Sequence, residues 1–177
     1  MKAGIRYGLA LEIGPGYLKF EWLKRTTGTH LQGLDISPDK IKIAERNAKE
    51  FGLEDRDSCV ESDARKMPFE DNTFDAAFTN GSLHQGPEPR KIFNAIYRVL
   101  KPKGKYCISD LRRDMDPVAK WFMKLMTKPK EIRLGLVSSI NASYAVDEIQ
   151  EILKETKSRE YETKKNICSA VLDIKRP

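Results

Sequence analysis

Short apolar runs alternate with longer amphipathic segments along the first two thirds of the chain. The apolar runs predict five strands, at residues 6–13, 30–35, 57–62, 74–80 and 105–110. Helical periodicity predicts three helices between them, at residues 17–26, from Ser37-Pro38 to Gly52, and at residues 89–100. Strands that alternate with helices in this way are typical of βαβ units and a parallel sheet.

The last third of the chain follows a different pattern. Residues 111–145 hold helical material without a clear strand, and a helix is predicted at about residues 146–156. Two strand-like segments follow, 159–165 and 167–175, and only a short polar turn around Asn166 separates them, which indicates an antiparallel hairpin. We therefore expect an α/β fold in one domain, residues 1–177, with a doubly wound sheet of seven strands that is mostly parallel.

Composition is typical of a soluble globular protein. Hydrophobic residues make up 40% and charged residues 33% of the 177 residues, and no stretch approaches the ~20 apolar residues that span a bilayer. The amino-terminal residues lack the pattern of a signal peptide. Cys59, Cys107 and Cys168 lie far apart without metal-ligand spacing, so we expect buried free thiols and no metal site. Together these features predict a cytoplasmic protein.

The net charge of +6 is concentrated in one segment. Residues 98–133 hold eleven Lys or Arg residues and four acidic residues. Such a segment attracts anionic partners, nucleic acid among them, or simply forms a solvated surface. A solvated surface is the more common case, and we favour it.

The first candidate site is the turn after the first strand, Glu12-Ile13-Gly14-Pro15-Gly16. Gly14 and Gly16 lack side chains, so the backbone N–H groups of the turn can approach a small ligand at the carboxyl end of a parallel strand. Glu12 adds a carboxylate near the turn, and its alternative is an exposed strand residue. The turn alone is a weak signal because glycine-rich turns after strands are common.

Two acidic residues follow the next two strands. Asp35, in Asp35-Ile36-Ser37, ends the second strand, where a carboxylate can accept hydrogen bonds from both hydroxyls of a ribose. Its alternative role is to cap the helix that begins at Ser37. Asp63, in Asp63-Ala64, follows the third strand, where an acid can accept from the exocyclic amine of adenine. The alternative is a loop acid without a ligand.

The fourth strand runs into a polar loop, where Asn80, Ser82 and His84 would face the reacting end of the same ligand. The motifs in this order resemble the class I S-adenosylmethionine-dependent methyltransferases. Five stretches carry the match: Glu12-Ile13-Gly14-Pro15-Gly16, Asp35-Ile36-Ser37, Asp63-Ala64, Met67-Pro68-Phe69-x-Asp71-x-x-Phe74-Asp75, and Leu100-Lys101-Pro102-x-Gly104-Lys105. The last two resemble the branch that includes the ubiquinone/menaquinone-biosynthesis methyltransferases.

The resemblance implies a Rossmann-like fold, S-adenosylmethionine as cofactor and S-adenosylhomocysteine as product. It also implies cofactor contacts along the carboxyl edge of the sheet. The methionyl part would contact Glu12, Gly14, Pro15 and Gly16, and the ribose and adenine would contact Asp35, Ile36 and Ser37. The adenine edge would contact Asp63 and Ala64, and the methyl-transfer end would contact Asn80 and Ser82. The family turn usually carries a third glycine where this chain has Leu18, which indicates a locally shortened turn.

The implied reaction is an in-line SN2 transfer of a methyl group to a small-molecule acceptor. Such a reaction depends on alignment and on exclusion of water more than on a nucleophilic side chain. His84 is the candidate catalytic residue, as a general base for a hydroxyl or amine acceptor, because imidazole titrates near neutrality. A pocket contact is the alternative for His84, and we favour it. No residue specifies the acceptor, its nucleophilic atom or the oligomeric state.

Residues 111–145 are expected to form an insertion that acts as a lid and determines the acceptor. Apolar residues share one face of a helix there: Val118, Trp121, Phe122, Leu125 and Met126. We favour a lid helix packed on the pocket, and a basic amphipathic helix on a membrane surface or an acidic partner is the alternative. Arg112 and Arg113 would meet an anionic group of the acceptor.

Three other functions compete with methyl transfer. An NAD-type dehydrogenase is disfavoured because Lys19 stands where the dinucleotide motif has a third Gly or Ala, and because of the closing hairpin. A protein that binds the cofactor with little catalysis, or one that binds or modifies nucleic acid through residues 98–133, remains an alternative. Against nucleic acid, the fourth strand ends in Asn80-Gly81-Ser82-Leu83 rather than Asn-Pro-Pro-aromatic, and common RNA-binding motifs are missing.

Overall fold

A computed structural model describes residues 5–177 of the chain, apart from residues 12, 82, 84–87, 129, 159 and 167. The predicted site residues Glu12, Ser82 and His84 lie outside the described residues. The strands are β1 (Tyr7–Leu11), β2 (His30–Asp35), β3 (Asp57–Glu61), β4 (Phe74–Asn80), β5 (Leu100–Leu111), β6 (Glu160–Lys165) and β7 (Ser169–Lys175). The helices are α1 (Tyr17–Lys24), α2 (Pro38–Glu50), α3 (Pro89–Val99), α4 (Pro117–Met126), α5 (Lys130–Ala142) and α6 (Val146–Lys154).

The seven described strands form one sheet in the order β3-β2-β1-β4-β5-β7-β6. Strands β1 to β5 are parallel to one another, and β7 pairs antiparallel with both β5 and β6. This topology confirms the predicted doubly wound sheet with its antiparallel hairpin. The chain order reverses between β1 and β4, and in open α/β sheets the crevice at such a reversal is where ligands bind.

Strand β5 is longer than the predicted segment 105–110. It begins at Leu100, which pairs with Phe74, and the register shifts before Lys105 pairs with Ala76. A Cβ atom on Gly104 would lie 2.7 Å from the carbonyl oxygen of Lys101, so only glycine fits this irregular stretch. The Pro102 and Gly104 signals that end the helical pattern therefore mark an irregularity inside a strand.

Apolar side chains form a cluster on each face of the sheet. On one face, α3 and α6 cover the strands, with fully buried side chains such as Phe93, Ile96 and Leu153. On the other face, α1 and α2 contribute Phe20 and Ala48 to a smaller cluster. The three cysteines are free thiols, but they are half-buried rather than fully buried as predicted.

Two of the matched motifs hold strands together at the amino-terminal end of β4. Asp75 Oδ2 accepts hydrogen bonds from the backbone N–H groups of Arg6 (2.9 Å) and Tyr7 (2.8 Å), and Asp75 Oδ1 accepts from Lys101 Nζ at 2.8 Å. The Phe74-Asp75 and Leu100-Lys101 motifs thus join the starts of β1, β4 and β5. Since this end of the sheet lies opposite the carboxyl edge, their role here is structural.

Candidate active site

The glycine turn connects β1 to α1 through two residues in the left-handed region. Gly14 has a φ of 49° and Gly16 a φ of 83°. A Cβ atom on Gly16 would lie 2.8 Å from ring carbons of Phe20, whereas a Cβ atom on Gly14 would meet nothing within 4 Å. Packing therefore requires a glycine at position 16. Gly14, by contrast, faces open space, which is where a ligand could approach the backbone.

Helix α2 holds the turn in place. The side chain of Asn47, which is buried in α2, donates from Nδ2 to the carbonyl oxygen of Pro15 at 2.9 Å. Asn47 is not among the predicted site residues. Its signal is a polar residue among the apolar positions Ile41, Ala44 and Ala48 of the buried face of α2.

The carboxylate of Asp35 links the glycine turn to the start of α2. Its side chain is 1% exposed, and Oδ1 accepts from the backbone N–H of Ser37 at 3.0 Å. Oδ2 lies 3.4 Å from the backbone nitrogen of Gly14, which donates to it, and 3.7 Å from Lys40 Nζ. Asp35 thus fixes the backbone of Ser37, the residue that caps α2, and it also lies directly beside the glycine turn.

Ile36 and Ser37 continue this edge. Ile36 is 67% exposed, an unusual position for a large apolar side chain. Ser37 occupies the position before α2, and its hydroxyl accepts from the backbone N–H of Lys40 at 3.4 Å. An exposed apolar surface therefore lies next to the buried carboxylate of Asp35.

The carboxylate of Asp63 accepts hydrogen bonds from Arg65, two residues further along the chain. Its Oδ1 accepts from the backbone N–H of Arg65 at 2.8 Å, and both of its oxygens accept from the Arg65 guanidinium. Hydrogen bonds from Arg65 lower the pKa of the Asp63 carboxyl below its usual value. Ala64 is buried in the short turn that follows. Asp63 therefore caps this turn, as a loop acid does.

A cavity of about 310 Å³ opens between the glycine turn and the carboxyl ends of β1 and β4. Its lining consists of Ala10, Leu11, Ile13, Gly14, Pro15, Tyr17, Leu18, Lys19, Lys40, Phe78, Asn80 and Gly81. Cavities that bind small molecules have this size, and they combine apolar walls with a few polar groups. Of the predicted site residues, Gly14, Pro15 and Asn80 line this cavity. Gly16, Asp35, Ile36, Ser37, Asp63 and Ala64 are not part of its lining.

Lys19 is a cavity residue that the sequence analysis did not assign to the site. Its side chain is 1% exposed, and Nζ donates to Asp57 Oδ2 at 2.8 Å, lies 2.7 Å from Asp57 Oδ1 and lies 3.2 Å from Cys59 Sγ. Burial raises the pKa of the Asp57 carboxyl, although the nearby Lys19 ammonium opposes this shift. Burial likewise raises the pKa of the Cys59 thiol. A buried ion pair therefore links Lys19, which lines the cavity, to Asp57 of β3.

A second groove, of about 570 Å³, lies beside the cavity over β4, β5 and β7. Leu18, Phe78 and Asn80 line both spaces, so the two are adjacent. The remaining walls of the groove are mostly apolar, with Trp22, Cys107 and Val171 among them. The groove is thus an apolar surface next to the end of β4.

Arg112 and Arg113 follow β5, and both guanidinium groups are paired. Arg112 binds Asp114 at 2.8 Å and donates to the carbonyl oxygen of Asn166 at 3.0 Å. Arg113 pairs with Glu148. Within the described ranges no group of His, Cys, Asp and Glu side chains could hold a metal ion, and none of the described helices is long and apolar enough to cross a membrane.

A family model described as a methyltransferase domain matches residues 13–164, which is most of the chain. The chain belongs to this methyltransferase family. The match agrees with the predicted resemblance at the level of class I S-adenosylmethionine-dependent methyltransferases. The narrower ubiquinone/menaquinone branch stays a prediction, and the comparisons do not support the dehydrogenase or nucleic-acid alternatives.

Relatives of this methyltransferase chain include two sterol methyltransferases. The sterol 4-C-methyltransferase of Caenorhabditis elegans is 40% identical over 89 residues, which cover 50% of this chain and 27% of that enzyme. The sterol 24-C-methyltransferase of Saccharomyces cerevisiae is 35% identical over 109 residues, which cover 60% of this chain and 28% of that enzyme. The match with this chain thus spans little more than a quarter of the length of either relative.

A solved structure from Methanococcus maripaludis, assigned to the S-adenosyl-L-methionine-dependent methyltransferases, has the same fold. It superimposes with a TM-score of 0.74 at 25% sequence identity, over 96% of this chain and 77% of that one. The seven-stranded sheet of the methyltransferase fold is therefore present in this chain.

Proposed function

We propose that this chain binds S-adenosylmethionine at the carboxyl edge of β1, β2 and β4 and transfers its methyl group to a small-molecule acceptor. One observation carries the proposal: the open side of the Gly14 turn lines a cavity of about 310 Å³ at the reversal of strand order, and the buried Asp35 carboxylate lies directly beside this turn. Membership of the methyltransferase family supports the same activity.

The residues present suit this cofactor. Among the described residues the contacts of Asp35 Oδ2 are long, at 3.4 Å to Gly14 and 3.7 Å to Lys40, so it keeps accepting capacity for the hydroxyls of a ribose. The exposed side chain of Ile36 offers an apolar surface for adenine. The backbone N–H of Ser37 donates to Asp35 Oδ1 and so holds the carboxylate in place.

The remaining predicted contacts are part of the same proposal. Gly14, Pro15 and Gly16 would face the methionyl part, with Glu12 near its amino group. Asp63 and Ala64 would lie along the adenine edge. Because Arg65 already donates to both oxygens of Asp63, that carboxylate would act as a weaker acceptor than Asp35.

S-adenosylmethionine, when bound, supplies a methyl group made electrophilic by the positive charge on sulfur. The residues of the chain then have to hold the acceptor in line with that methyl group and exclude water. Leu18 and Phe78 provide apolar walls at this point, and Asn80 provides a polar group at the end of β4. Ser82 would add a hydroxyl in the loop that follows. We propose His84 as the general base when the acceptor is a hydroxyl or an amine.

We further propose an acceptor with a large apolar body. Sterols are such molecules, and two relatives are sterol methyltransferases. The apolar groove of about 570 Å³ shares Leu18, Phe78 and Asn80 with the cofactor cavity, so an acceptor there would reach the methyl-transfer end. Since Arg112 and Arg113 are already paired, they offer little free charge to an anionic acceptor. A cytoplasmic location and a lid role for residues 111–145 remain predictions. In this structure the apolar face of α4 is exposed rather than packed on the pocket, and none of the described residues of this segment lines the cavity or the groove.

Isothermal titration with S-adenosylmethionine and S-adenosylhomocysteine tests cofactor binding. We expect micromolar affinity in the natural chain and a loss of about tenfold or more in Asp35→Asn, because hydrogen bonds to a charged group contribute about 1.5–3 kcal/mol. Asp39→Asn is the matched control, since Asp39 lies in the first turn of α2 with its side chain 86% exposed. Equal affinity in both variants, or no binding by the folded natural chain, would contradict the proposal.

Methyl transfer is tested separately, as release of S-adenosylhomocysteine when detergent-dispersed sterols are added. Release that depends on both the sterol and Asp35 supports an apolar acceptor. If the chain binds the cofactor but releases no S-adenosylhomocysteine with any sterol tested, the sterol acceptor is contradicted and only cofactor binding is supported.

A further inference from the structure

Helix α4 presents its apolar face to solvent, whereas two of its lysines are half-buried. Val118, Trp121, Phe122, Leu125 and Met126 are each more than half exposed. Lys120 and Lys124, on the other side of the helix, are half-buried. A surface helix normally has the opposite orientation, so this apolar face is available for another partner.

The exposed face continues onto α5. Ile132 and Leu134 are 57% and 75% exposed, and Arg133 Nη2 donates to the carbonyl oxygen of Thr127, which ties the two helices together. We call this surface the α4–α5 face, and it consists of Val118, Trp121, Phe122, Leu125, Met126, Ile132 and Leu134. Of the thirteen large apolar side chains that are exposed in the described part of the chain, seven belong to this face.

The segment that carries the α4–α5 face is basic. Residues 117–133 contain five basic residues and one acidic residue, Glu131. Within the part of the chain that the structure describes, Lys120, Lys124 and Lys128 form no ion pair. Long lysine side chains can lay their methylene groups along apolar material while the ammonium groups reach outward to anions.

We propose that the α4–α5 face binds the surface of an anionic lipid bilayer. An amphipathic helix with Trp and Phe on its apolar face and lysines on its polar face is the pattern of helices that lie in a membrane interface. Anionic headgroups complement the unpaired lysines. A second copy of the chain fits less well, because a symmetric contact through this face would bring two basic segments together. This binding does not depend on methyl transfer.

Co-sedimentation of the full chain with vesicles tests the proposal. We expect binding to vesicles of phosphatidylcholine with phosphatidylserine, weak binding to phosphatidylcholine alone, and weaker binding in high salt. The double variant Trp121→Ala/Phe122→Ala should bind the mixed vesicles about tenfold more weakly or worse. Replacing Lys120, Lys124 and Lys128 by Gln should weaken binding by up to about fivefold for each lysine.

Ile43→Ala is the matched control, because Ile43 is an exposed apolar residue on α2, away from this face. It should bind vesicles as the natural chain does. Trp121 also provides a direct signal, since the chain has two tryptophans and Trp22 packs against Phe78. Insertion of Trp121 into the interface should shift its emission to shorter wavelength, and the Trp121→Ala/Phe122→Ala variant should lose that shift.

Three outcomes would overturn the proposal. The natural chain could fail to bind either vesicle, the aromatic double variant could bind as the natural chain does, or both vesicle types could bind equally at all salt concentrations. If sedimentation equilibrium showed a dimer that the aromatic double variant dissociates, with no vesicle binding, the α4–α5 face would be a contact between copies. The substituted aromatic side chains are exposed, so we expect the variants to fold. Circular dichroism melting of each variant verifies this.

Discussion

The buried ion pair between Lys19, which lines the cavity, and Asp57 allows a quantitative prediction about stability. Lys19 and Asp57 have side chains that are each 1% exposed, and their charged atoms are 2.7–2.8 Å apart. The substitution Lys19→Met keeps the length and the apolar stem of the side chain but removes its charge. Asp57 is then left in a buried position with Cys59 nearby and no ammonium group to compensate its charge.

The expected loss in the free energy of unfolding depends on whether Asp57 stays charged or becomes protonated. Removing one partner of a buried ion pair typically reduces the free energy of unfolding by about 3–5 kcal/mol. Asp57 can escape the unpaired charge by binding a proton. At neutral pH that costs about 1.4 kcal/mol for each of the roughly three pH units above its unfolded pKa, or about 4 kcal/mol. We therefore expect Lys19→Met to lose about 3–4 kcal/mol near neutral pH.

The loss should depend on pH in a defined direction. Burial already raises the pKa of the Asp57 carboxyl in the natural chain, against the effect of Lys19, and removing Lys19 raises this pKa further. A carboxyl whose pKa is raised by folding favours the folded state below its unfolded pKa of about 3.9, and this contribution is lost as pH rises through the folded pKa. The deficit of Lys19→Met should therefore shrink as pH falls from neutrality toward about 4.

Urea unfolding followed by far-ultraviolet circular dichroism measures these differences. The double variant Lys19→Met/Asp57→Asn should recover most of the loss at neutral pH, because no buried charge remains. Lys42→Met is the matched control, since the Lys42 side chain is 75% exposed, and it should change stability by less than about 0.5 kcal/mol. A loss below about 1 kcal/mol in Lys19→Met, or no recovery in the double variant, would refute the reasoning.

Three further predictions concern a turn, a strand contact and a thiol. Gly16→Ala should destabilise by about 1–3 kcal/mol, since a Cβ would lie 2.8 Å from an aromatic ring, whereas Gly28→Ala, with open space, should lose only about 1 kcal/mol in thermal melts. For Asp75, burial raises its pKa, but hydrogen bonds from Lys101 and two backbone N–H groups lower it overall. Asp75→Asn should therefore lose about 1–3 kcal/mol at neutral pH, and the difference should vanish as pH falls through the folded pKa of Asp75, measured as melting temperature against pH. Burial and the neighbouring Asp173 raise the pKa of Cys107 to about 11, so its alkylation rate, followed by mass spectrometry, should still increase above pH 9, and a plateau below pH 9 would contradict this.

Much of the fold could be predicted because local signals agreed with one another. The bounds of β2 and β4 match the predicted segments, and α2 begins after Ser37 at Pro38 as expected. Strand β5 was predicted too short because Pro102 and Gly104 normally end an element. Pairing with β4 across the irregular stretch extends this strand, and such pairing depends on a distant segment.

The candidate site was predictable in part for the same reason. Asp35 lies at the end of a strand, and local position alone brings it to the carboxyl edge beside Gly14. Lys19 could not be assigned from local sequence, because its partner Asp57 is 38 residues away in the chain. Gly16 matches a ligand-binding motif, yet the contact that requires glycine there is with Phe20 of its own helix.

The sequence by itself determined the order of strands and helices, the edge of the sheet that carries the candidate site, and the resemblance to methyltransferases. These features follow from periodicity and from residues next to one another in the chain. Tertiary contacts were needed to show that Lys19 is buried against Asp57 and that the apolar face of α4 points outward. Periodicity tells which side chains share a face of a helix, but which face becomes covered depends on neighbours that folding brings from elsewhere in the chain.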